Sequence, residues 1–346
     1  MIDSVSPTET DLALVEALQI APRAPWSAVG KATGMSPVSA ARRWQRLVRS
    51  GTSWVTGAPG VSVWNAQCVA YVDISCVPGQ SGAVAETLAR DRHALSVELI
   101  AGSADIFLTV AAADLLALSR YLLGRVDLIH GITQTRTRIC TRLYRDGSRW
   151  RLGALSPQAA SALPDTSPPA PGHAGAFAPL QAGDRRILVQ LGLDGRSSYA
   201  ALGASAEVSE ATARRRTARL LRTGAVLLRA EVAGQAAGWT VPVTLFIDAP
   251  TSRLAQTARG IASWSQVRMC ATLAGAPPIV ASAWLHDVEA IHEFETALAT
   301  SMPDLTVVDR RITLRTVKRM GRLLDEDGRA VGAVPMDVWT DPLAVA

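Results

Sequence analysis

The spacing of hydrophobic residues predicts a unit of three helices early in each half of the chain. In the segment DRRILVQLGLDG, Ile187, Leu188 and Leu191 recur at a helical period, and Gly195 follows as a stop. The next segment, SSYAALGASAEV, begins at a serine and predicts a second short helix. A third helix follows in each half, in SPVSAARRWQRLVRSG and in SEATARRRTARLLRTG. Short β-prone stretches come next, TSWVT and AVLLRAEV, as expected for a wing.

The third helix has a basic face and an apolar face in both halves. Ser36 and Ser209 are placed to cap its start, and Gly51 and Gly224 to end it. One such helix is most simply a solvated basic surface, but a capped basic helix behind a short helix and a tight turn, present twice, favours a DNA-reading helix-turn-helix. The basic face comprises Arg42, Arg46 and Arg49 in the first half, and Arg215, Arg219 and Arg222 in the second. The core side comprises Ala40, Trp44, Leu47 and Val48, and Ala213, Thr217, Leu220 and Leu221.

Alternating apolar and polar positions then predict the order βαββαβ in each half. The first half runs from the strand CVAYVDI, through two strands about the turn in LSVELIAGSADIFLTVA, to the last strand ITQTRTRICTRLY. The second half follows the same order from VPVTLFI to LTVVDRRITLRTVKRM. This order is that of a ferredoxin-like sandwich. The long last strand, with Thr and Arg on one face, is either an edge used for pairing or an ordinary exposed edge.

The chain is an internal duplication at an offset of about 173 residues. Without gaps, Asp11 matches Asp184 and Arg23 matches Arg196, and in the third helices Arg42, Arg43, Arg46, Leu47 and Arg49 match Arg215, Arg216, Arg219, Leu220 and Arg222. A segment rich in Pro, Ala, Ser and Gly at 155–177 is typical of a linker between the copies. We therefore predict an α+β chain with winged helix-turn-helix domains at 1–60 and 181–234, βαββαβ sensor domains at 64–150 and 238–330, a linker at 151–180 and a tail at 331–346.

The charge distribution and the composition indicate the class of protein. The 346 residues carry a net charge of +5, and the excess of basic over acidic residues lies within 1–57 and 181–232. No apolar run reaches the roughly 18 residues of a membrane helix. The start of the chain is acidic and polar, unlike a secretory signal. Four cysteines without a C-x-x-C pair argue against a zinc site or a disulfide framework, and together these features predict a cytoplasmic protein.

These motifs resemble the Lrp/AsnC (feast/famine) transcriptional regulators. The resemblance rests on the aspartate that opens helix one, on GMSPVSAARRWQRLVRSG with its second copy, and on AGSADIFLTV for the family's Gly-x-x-Asp hairpin. It implies a winged helix-turn-helix joined to a ligand-sensing domain, here as a fused dimer. Gly102 and Asp105 match the hairpin near which the family binds amino acids or related metabolites. The second copy has Gly275 but Pro278 in place of the aspartate, and Gly102 is equally well explained as a turn glycine.

The leading hypothesis is a regulator that binds double-stranded DNA and responds to a small metabolite, without a cofactor. The resemblance also implies association of sensor domains into a homo-oligomer. Ser39 and Thr212, near the helix starts, either reach bases or serve the caps. The expected DNA contacts are Ser39, Arg42, Arg43, Arg46, Arg49, Thr212, Arg214, Arg215, Arg216, Arg219 and Arg222, and the expected effector contacts are Gly102, Asp105 and Gly275.

Two alternatives stay open. Sirohaem decarboxylases resemble this architecture, but they need histidines and arginines gathered in the sensor-like domain. Here His93, His130, His173, His286 and His292 form no recognisable cluster in the sequence, so we expect no enzyme. A protein that senses a metabolite but does not contact DNA is the other alternative, and the basic faces in both copies argue against it.

The two third helices differ at several matched positions, so we predict non-identical half-sites in the operator. These differences include Pro37/Glu210, Ala41/Arg214, Trp44/Thr217 and Gln45/Ala218. Because side chains of this helix read base edges, different side chains select different bases. Footprinting on genomic fragments that the protein retains measures this directly. A strictly symmetric operator would contradict the prediction.

Overall fold

The computed structural model describes residues 7–164, 166 and 180–344, which divide into two compact units. The first consists of Met1–Val63, Gly147–Gly238 and Asp327–Val331, and we call it the helical unit. The second consists of Trp64–Asp146, Trp239–Glu326 and Gly332–Ala346, and we call it the sheet unit. Each unit therefore combines matching segments of both copies. No helix among the described residues is long and apolar enough to cross a membrane.

The order of elements confirms the predicted α+β fold, with three helices, a strand and a βαββαβ set in each copy. The first copy comprises α1 (Glu9–Ile20), α2 (Trp26–Thr33), α3 (Pro37–Arg49), β1 (Ser53–Pro59), α4 (Val61–Trp64), β2 (Cys68–Cys76), α5 (Ser81–Ala89), β3 (Ala94–Ala101), β4 (Ile106–Ala112), α6 (Leu115–Tyr121), β5 (Ile132–Arg145) and α7 (Pro157–Ser161). The second copy comprises α8 (Ala182–Leu193), α9 (Tyr199–Ala206), α10 (Glu210–Arg222), β6 (Val226–Val232), β7 (Val241–Asp248), α11 (Leu254–Ala262), β8 (Val267–Leu273), β9 (Ile279–Leu285), α12 (Glu289–Ser301), β10 (Thr306–Arg319), β11 (Arg322–Leu324) and β12 (Ala330–Ala333).

The predicted caps of the third helices are present. The Ser36 hydroxyl accepts a hydrogen bond from the Ser39 amide at 3.1 Å, and the Ser209 hydroxyl accepts one from the Thr212 amide at 3.2 Å. Gly51, at φ +67°, follows the C-cap residue Ser50 of α3, and its amide donates to Val48 O. Local sequence therefore fixes both ends of this helix.

The two wing strands pair with each other. β1 and β6 form an antiparallel two-stranded sheet with Ser53 opposite Val232 and Pro59 opposite Val226. β1 of the first copy also contacts α8 of the second copy, because the Thr56 hydroxyl donates to Gly192 O at 2.7 Å. A Cβ at Gly57 would lie 2.8 Å from Leu191 Cβ, so the close approach of β1 to α8 requires glycine there. The helical unit is thus completed only when both copies contribute strands.

The strands of the sheet unit close into a ring in the order β10-β3-β4-β2-β5-β8-β9-β7, and β7 pairs back to β10. The neighbouring strands of this ring pair antiparallel, and β11 and β12 continue beyond β10. The copies meet where β5 pairs with β8 and where β10 pairs with β3. The long last strand of each copy is therefore a pairing edge, and its partner is the other copy.

Alternation along these strands separates two apolar cores from a polar set of residues. Even-numbered residues of β2, such as Val72, pack with α5 and α6 in one core, and odd-numbered residues of β7, such as Val243, pack with α11 and α12 in the other. On the opposite face of β2, Asp73 accepts hydrogen bonds from Arg138 at 2.5 Å and from Arg311 at 2.6 Å. The Asp73–Arg311 pair joins the two copies, and Arg311 is almost completely buried.

The segment predicted as a linker contains ordered structure at its start. α7 forms within it, and Leu163 is buried in the same core as Leu14 and Val55 of the helical unit. Residues 165 and 167–179, which include His173, lie outside the described residues. In the predicted tail, Met336 and Val338 are buried in the sheet unit. The bounds of the six predicted segments stay a prediction.

Candidate nucleic-acid interface and effector hairpin

Four arginines of the predicted basic faces point into solvent without a protein partner. Arg42 and Arg49 on α3, and Arg215 and Arg222 on α10, are exposed. Among the described residues, none of these four side chains makes a hydrogen bond, an ion pair or a ring contact. Each pair is spaced by seven residues, two turns of one helix face. These are the arginines available to an outside anion.

The middle arginine of the first face is held by a buried carboxylate. Arg46 donates to both oxygens of Asp11, at 2.9 and 3.1 Å, and Arg43 donates to Asp11 Oδ1 at 3.0 Å. The Asp11 side chain is 2% exposed and also accepts from the amide and hydroxyl of Thr8, at the start of α1. Asp11 therefore joins the N-terminus of α1 to the middle of α3 while Arg46 remains half exposed.

The second copy repeats this contact with the same spacing in sequence. Arg219 donates to Asp184 Oδ2 at 2.7 Å, and Arg216 lies 3.8 Å from Asp184 Oδ1. Asp184 is as buried as Asp11 and accepts from the Gln181 amide at the start of α8. From the sequence these aspartates are matched positions of the two copies and mark the start of the first helix, but their contact with the arginines is not predicted. The signal that could have revealed their role is the conserved distance of 35 residues from the aspartate to Arg46 and to Arg219.

Burial and hydrogen bonding act in opposite directions on Asp11. Burial alone would raise its pKa, but the hydrogen bonds from Thr8 and Arg43 and the charge of Arg46 outweigh it, so the pKa of Asp11 is lowered from its ordinary value. The carboxylate is thus ionised under neutral conditions. It neutralises part of the positive charge on α3 and leaves the outer arginines unpaired.

The remaining predicted contacts on α3 and α10 have local partners. Arg214 pairs with Glu210 at 3.2 Å and lies 5.0 Å from the centre of the Tyr199 ring. The hydroxyls of Ser39 and Thr212 lie 3.0 Å from those of their capping serines. Both hydroxyls therefore take part in the caps, and their contact with bases stays a prediction.

The core side of α3 needs one correction. Ala40, Trp44 and Leu47 are buried as predicted, but Val48 is 44% exposed. Val48 immediately follows Leu47, so it is turned about 100° away from the line of the buried residues. In α10, Ala213, Thr217 and Leu220 are buried, and Leu221 is half-buried.

The predicted effector hairpin joins β3 to β4. Gly102 has φ +142°, and a Cβ there would lie 3.3 Å from Arg310 O, so the turn itself requires glycine. Asp105 is exposed, and its Oδ2 accepts from the Cys76 amide at 2.7 Å. In the second copy Gly275 has φ +102°, with open space at its Cβ position. The effector role of these residues stays a prediction.

The described histidines have different surroundings. His93 is buried against the Tyr121 ring, at 5.4 Å between centroids, and burial lowers its pKa despite the opposing effects of Thr340 and nearby aspartates. His286 lies against Trp239, at 4.0 Å between centroids. His130 and His292 are exposed.

Comparisons with protein families match both kinds of domain. The AsnC-type helix-turn-helix domain matches residues 8–48 and again 181–221. The Lrp/AsnC ligand binding domain matches residues 69–150. The helix-turn-helix match at 8–48 contains Asp11 and Arg46, and the one at 181–221 contains Asp184 and Arg219.

Two curated proteins and a solved structure are among those similar to this chain. Uncharacterised HTH-type transcriptional regulators of Pyrococcus abyssi and Pyrococcus horikoshii are each 28% identical over 141 residues, which are 40% of this chain and 89% of theirs. The siroheme decarboxylase NirDL superposes with a TM-score of 0.55 at 12% identity, over 92% of this chain and 96% of its own. NirDL with an iron-uroporphyrin III analogue has the same TM-score over 90% of this chain.

The NirDL match corrects the expectation that the chain is not an enzyme. That expectation was wrong, because an enzyme shares the architecture over nearly the whole chain. The fold brings catalytic groups together from distant parts of a chain, so the absence of a sequence motif does not exclude a catalytic site. At 12% identity the likeness itself establishes the fold alone.

The buried aspartate leads to a stability prediction for Asp11→Asn. The free energy of unfolding should fall by about 1–3 kcal/mol, because a buried acceptor of charged hydrogen bonds loses its charge. The folded-state pKa of Asp11 lies below its unfolded value. Its contribution is therefore fully present above the unfolded pKa and is lost as pH falls through the folded pKa. Urea unfolding of both proteins from about pH 7 to about pH 3 measures the difference.

Glu9→Gln, an exposed charge change in the first turn of the same helix, is the matched control and should leave stability nearly unchanged. A stability difference for Asp11→Asn that stays constant as pH falls would contradict the assigned role of the carboxylate.

Proposed function

Because the chain belongs to the Lrp/AsnC family in a tandem-duplicated form, we propose that it is a transcriptional regulator in which one chain supplies both DNA-reading helices. In this proposal α3 and α10 enter successive major grooves, as the second helix of a helix-turn-helix motif does. An amino acid or a related metabolite, bound at the sensor domains, modulates the DNA contact. Regulation of this kind takes place in the cytoplasm.

The observation that carries the proposal is the set of four unpaired arginines on α3 and α10. Arg42 matches Arg215, and Arg49 matches Arg222, at the offset of the duplication. An exposed guanidinium without an acidic neighbour is free to pair with a phosphate, and such contacts dominate affinity for DNA. In contrast, Arg46 and Arg219 are already bound to Asp11 and Asp184, so we assign them a positioning role with a secondary contact to DNA.

The effector is proposed to bind beside the first-copy hairpin. The exposed carboxylate of Asp105 could receive the ammonium group of an amino acid as a charged hydrogen bond. Gly102 would keep the backbone accessible, and Gly275 marks the matching turn in the second copy. Because Pro278 replaces the aspartate there, we propose that the first copy binds the effector more strongly.

Association between chains is proposed to involve the sensor domains. Leu115, Leu116, Leu123 and Leu128 are between 60% and 76% exposed along one stretch of the first copy. Several large exposed apolar residues in one stretch favour protein–protein contact. At the offset of the duplication, three of the four become Glu289, Thr296 and Ser301, so the second copy lacks this surface.

A second candidate function is that of a sirohaem-decarboxylase-like enzyme. The observation that favours it is the superposition with NirDL, which includes both copies of both domains. An iron tetrapyrrole would then be the substrate. A tetrapyrrole absorbance band that co-purifies with the protein, or decarboxylation in vitro, would favour this function over regulation.

The DNA-binding test compares Arg215→Ala/Arg222→Ala with the parent protein. The slope of log affinity against log salt concentration should decrease by about 2, since about one phosphate contact is lost per arginine. Affinity at low salt should fall for all DNA sequences. Electrophoretic mobility shift at several salt concentrations, on fragments recovered by genomic pull-down, measures both.

Arg92→Ala/Arg259→Ala removes the same charge from exposed positions of the sheet unit and serves as the control. If both double variants weaken binding equally, the effect is one of net charge and the assigned surface is wrong. If the parent protein retains no DNA, the proposal is replaced by the alternative hypothesis of a metabolite-binding protein that does not contact DNA.

The effector test is a thermal-shift screen of amino acids and related metabolites. A ligand at a hundred times its Kd stabilises the folded state by about 2.7 kcal/mol, so an effector should raise Tm clearly. Asp105→Asn should lose most of that shift, whereas Glu293→Gln, an exposed carboxylate change on α12, should retain it. An effector whose shift is the same in Asp105→Asn would contradict the proposed site.

A further inference from the structure

Two arginines at matched positions exchange hydrogen bonds between the copies of the helical unit. Arg23 donates to Gly195 O at 2.8 Å and to Ser197 O at 2.9 Å, in the loop between α8 and α9. Arg196 donates to Pro22 O at 2.6 Å and to Ala24 O at 3.2 Å, in the loop between α1 and α2. Because the two arginines match at the offset of the duplication, the contact is reciprocal, as in an isologous dimer interface. We call it the arginine clasp.

Matched aromatic rings complete the clasp. The Arg23 guanidinium lies 4.9 Å from the centre of the Tyr199 ring, and the Arg196 guanidinium lies 4.3 Å from the centre of the Trp26 ring. Trp26 and Tyr199 also match at the offset of the duplication. Each arginine thus combines a fork of two carbonyl contacts with a cation–π contact, a combination that lysine does not reproduce.

The charges show that the clasp is more than incidental packing. Burial, and then the positive charge of Arg23, lower the pKa of Arg196 to about 10, and Asp194 opposes this only in part. The four carbonyl contacts therefore hold together two cations that repel each other. The geometry is maintained by directional hydrogen bonds, which fix both distance and orientation.

The position of the clasp connects it to the reading helices. α2 begins at Trp26 and α9 begins at Tyr199, so each clasped loop leads directly into the first helix of a helix-turn-helix motif. Within the helical unit the copies are also linked by the pairing of β1 with β6 and by the hydrogen bond from the Thr56 hydroxyl to Gly192 O. Those contacts hold the wing strands and α8, whereas the clasp holds the two loops from which α2 and α9 start.

We propose that Arg23 and Arg196 are positioning residues that fix the separation of α3 and α10, and that they thereby restrict the spacing of the half-sites that the chain can bind. Only the second part of this inference, the restriction on half-site spacing, rests on the proposed DNA binding. The separation of the helices is a property of the free protein. The two parts can therefore be tested independently.

The first experiment measures the distance between the reading helices in the full chain. Gln45 and Ala218 are exposed, lie on α3 and α10, and match at the offset of the duplication. We replace Cys68, Cys76 and Cys140 by serine and attach spin labels to cysteines introduced at these two positions. Pulsed electron paramagnetic resonance then measures the distance between the labels. We expect one narrow distance distribution in the parent and a broad one in Arg23→Ala/Arg196→Ala. An equally narrow distribution in both overturns the proposal.

The second experiment varies the spacer between two half-sites in single base-pair steps over one helical turn, about 10 bp. The parent should lose about 100-fold in affinity at spacers that prevent simultaneous contact, whereas the double variant should lose less than about 10-fold. Affinity for one isolated half-site should be equal in both. If the double variant discriminates between spacers as sharply as the parent, the proposal is overturned.

The outcomes separate the clasp from the proposed function. A parent that binds no DNA removes the proposed function, while the spin-label distances still decide on the clasp. If Arg23→Ala/Arg196→Ala fails to fold, Arg23→Lys/Arg196→Lys keeps both charges but lacks the forked contacts, and it should show intermediate broadening. A lysine pair with the parent's narrow distribution shows that charge alone suffices and contradicts the geometric role.

Discussion

Hydrogen bonding between strands of different copies is the constraint on which the rest of this molecule depends. β1 needs β6, β5 needs β8, and β10 needs β3. Without these partners each copy would present rows of unpaired backbone groups, at an energetic cost and with a risk of aggregation. Both compact units are therefore shared between the copies. The buried contact between Asp73 and Arg311 and the arginine clasp are possible only because these strands have already brought the copies together.

The basic helices show how one residue type takes two roles. A buried carboxylate holds the middle arginine of each face, and in doing so it fixes the helix against its neighbour. The outer arginines keep their charge directed to solvent. A uniformly basic helix would repel itself and lack a defined orientation. One aspartate in each copy supplies that orientation and leaves most of the positive potential available to a polyanion.

Sequence reasoning succeeded where the determinants are local and failed where they are distant. Ser36 and Gly51 could be placed because a cap needs only a few neighbouring residues. The periodicity of α3 could not show that Arg46, rather than Arg42, meets Asp11, since that contact joins residues 35 positions apart. The pairing of the two wings was equally invisible, because each β-prone segment is compatible with a wing inside its own copy. The expectation that the chain is not an enzyme was wrong for a related reason. Sequence motifs depend on residues that are close together along the chain, whereas NirDL is similar to this chain in fold at only 12% sequence identity.

The exchange of β1 and β6 has a consequence for how this protein can diverge from its relatives. In a single-copy dimer, any change to one subunit appears on both sides, and subunits of similar proteins in one cell can assemble with each other. Here the partner strand is supplied by the same polypeptide at a high local concentration, so pairing is decided at translation. Selection can then alter one half without altering the other. Tethering therefore favours an assembly whose two halves differ, because each half finds its partner within the same chain.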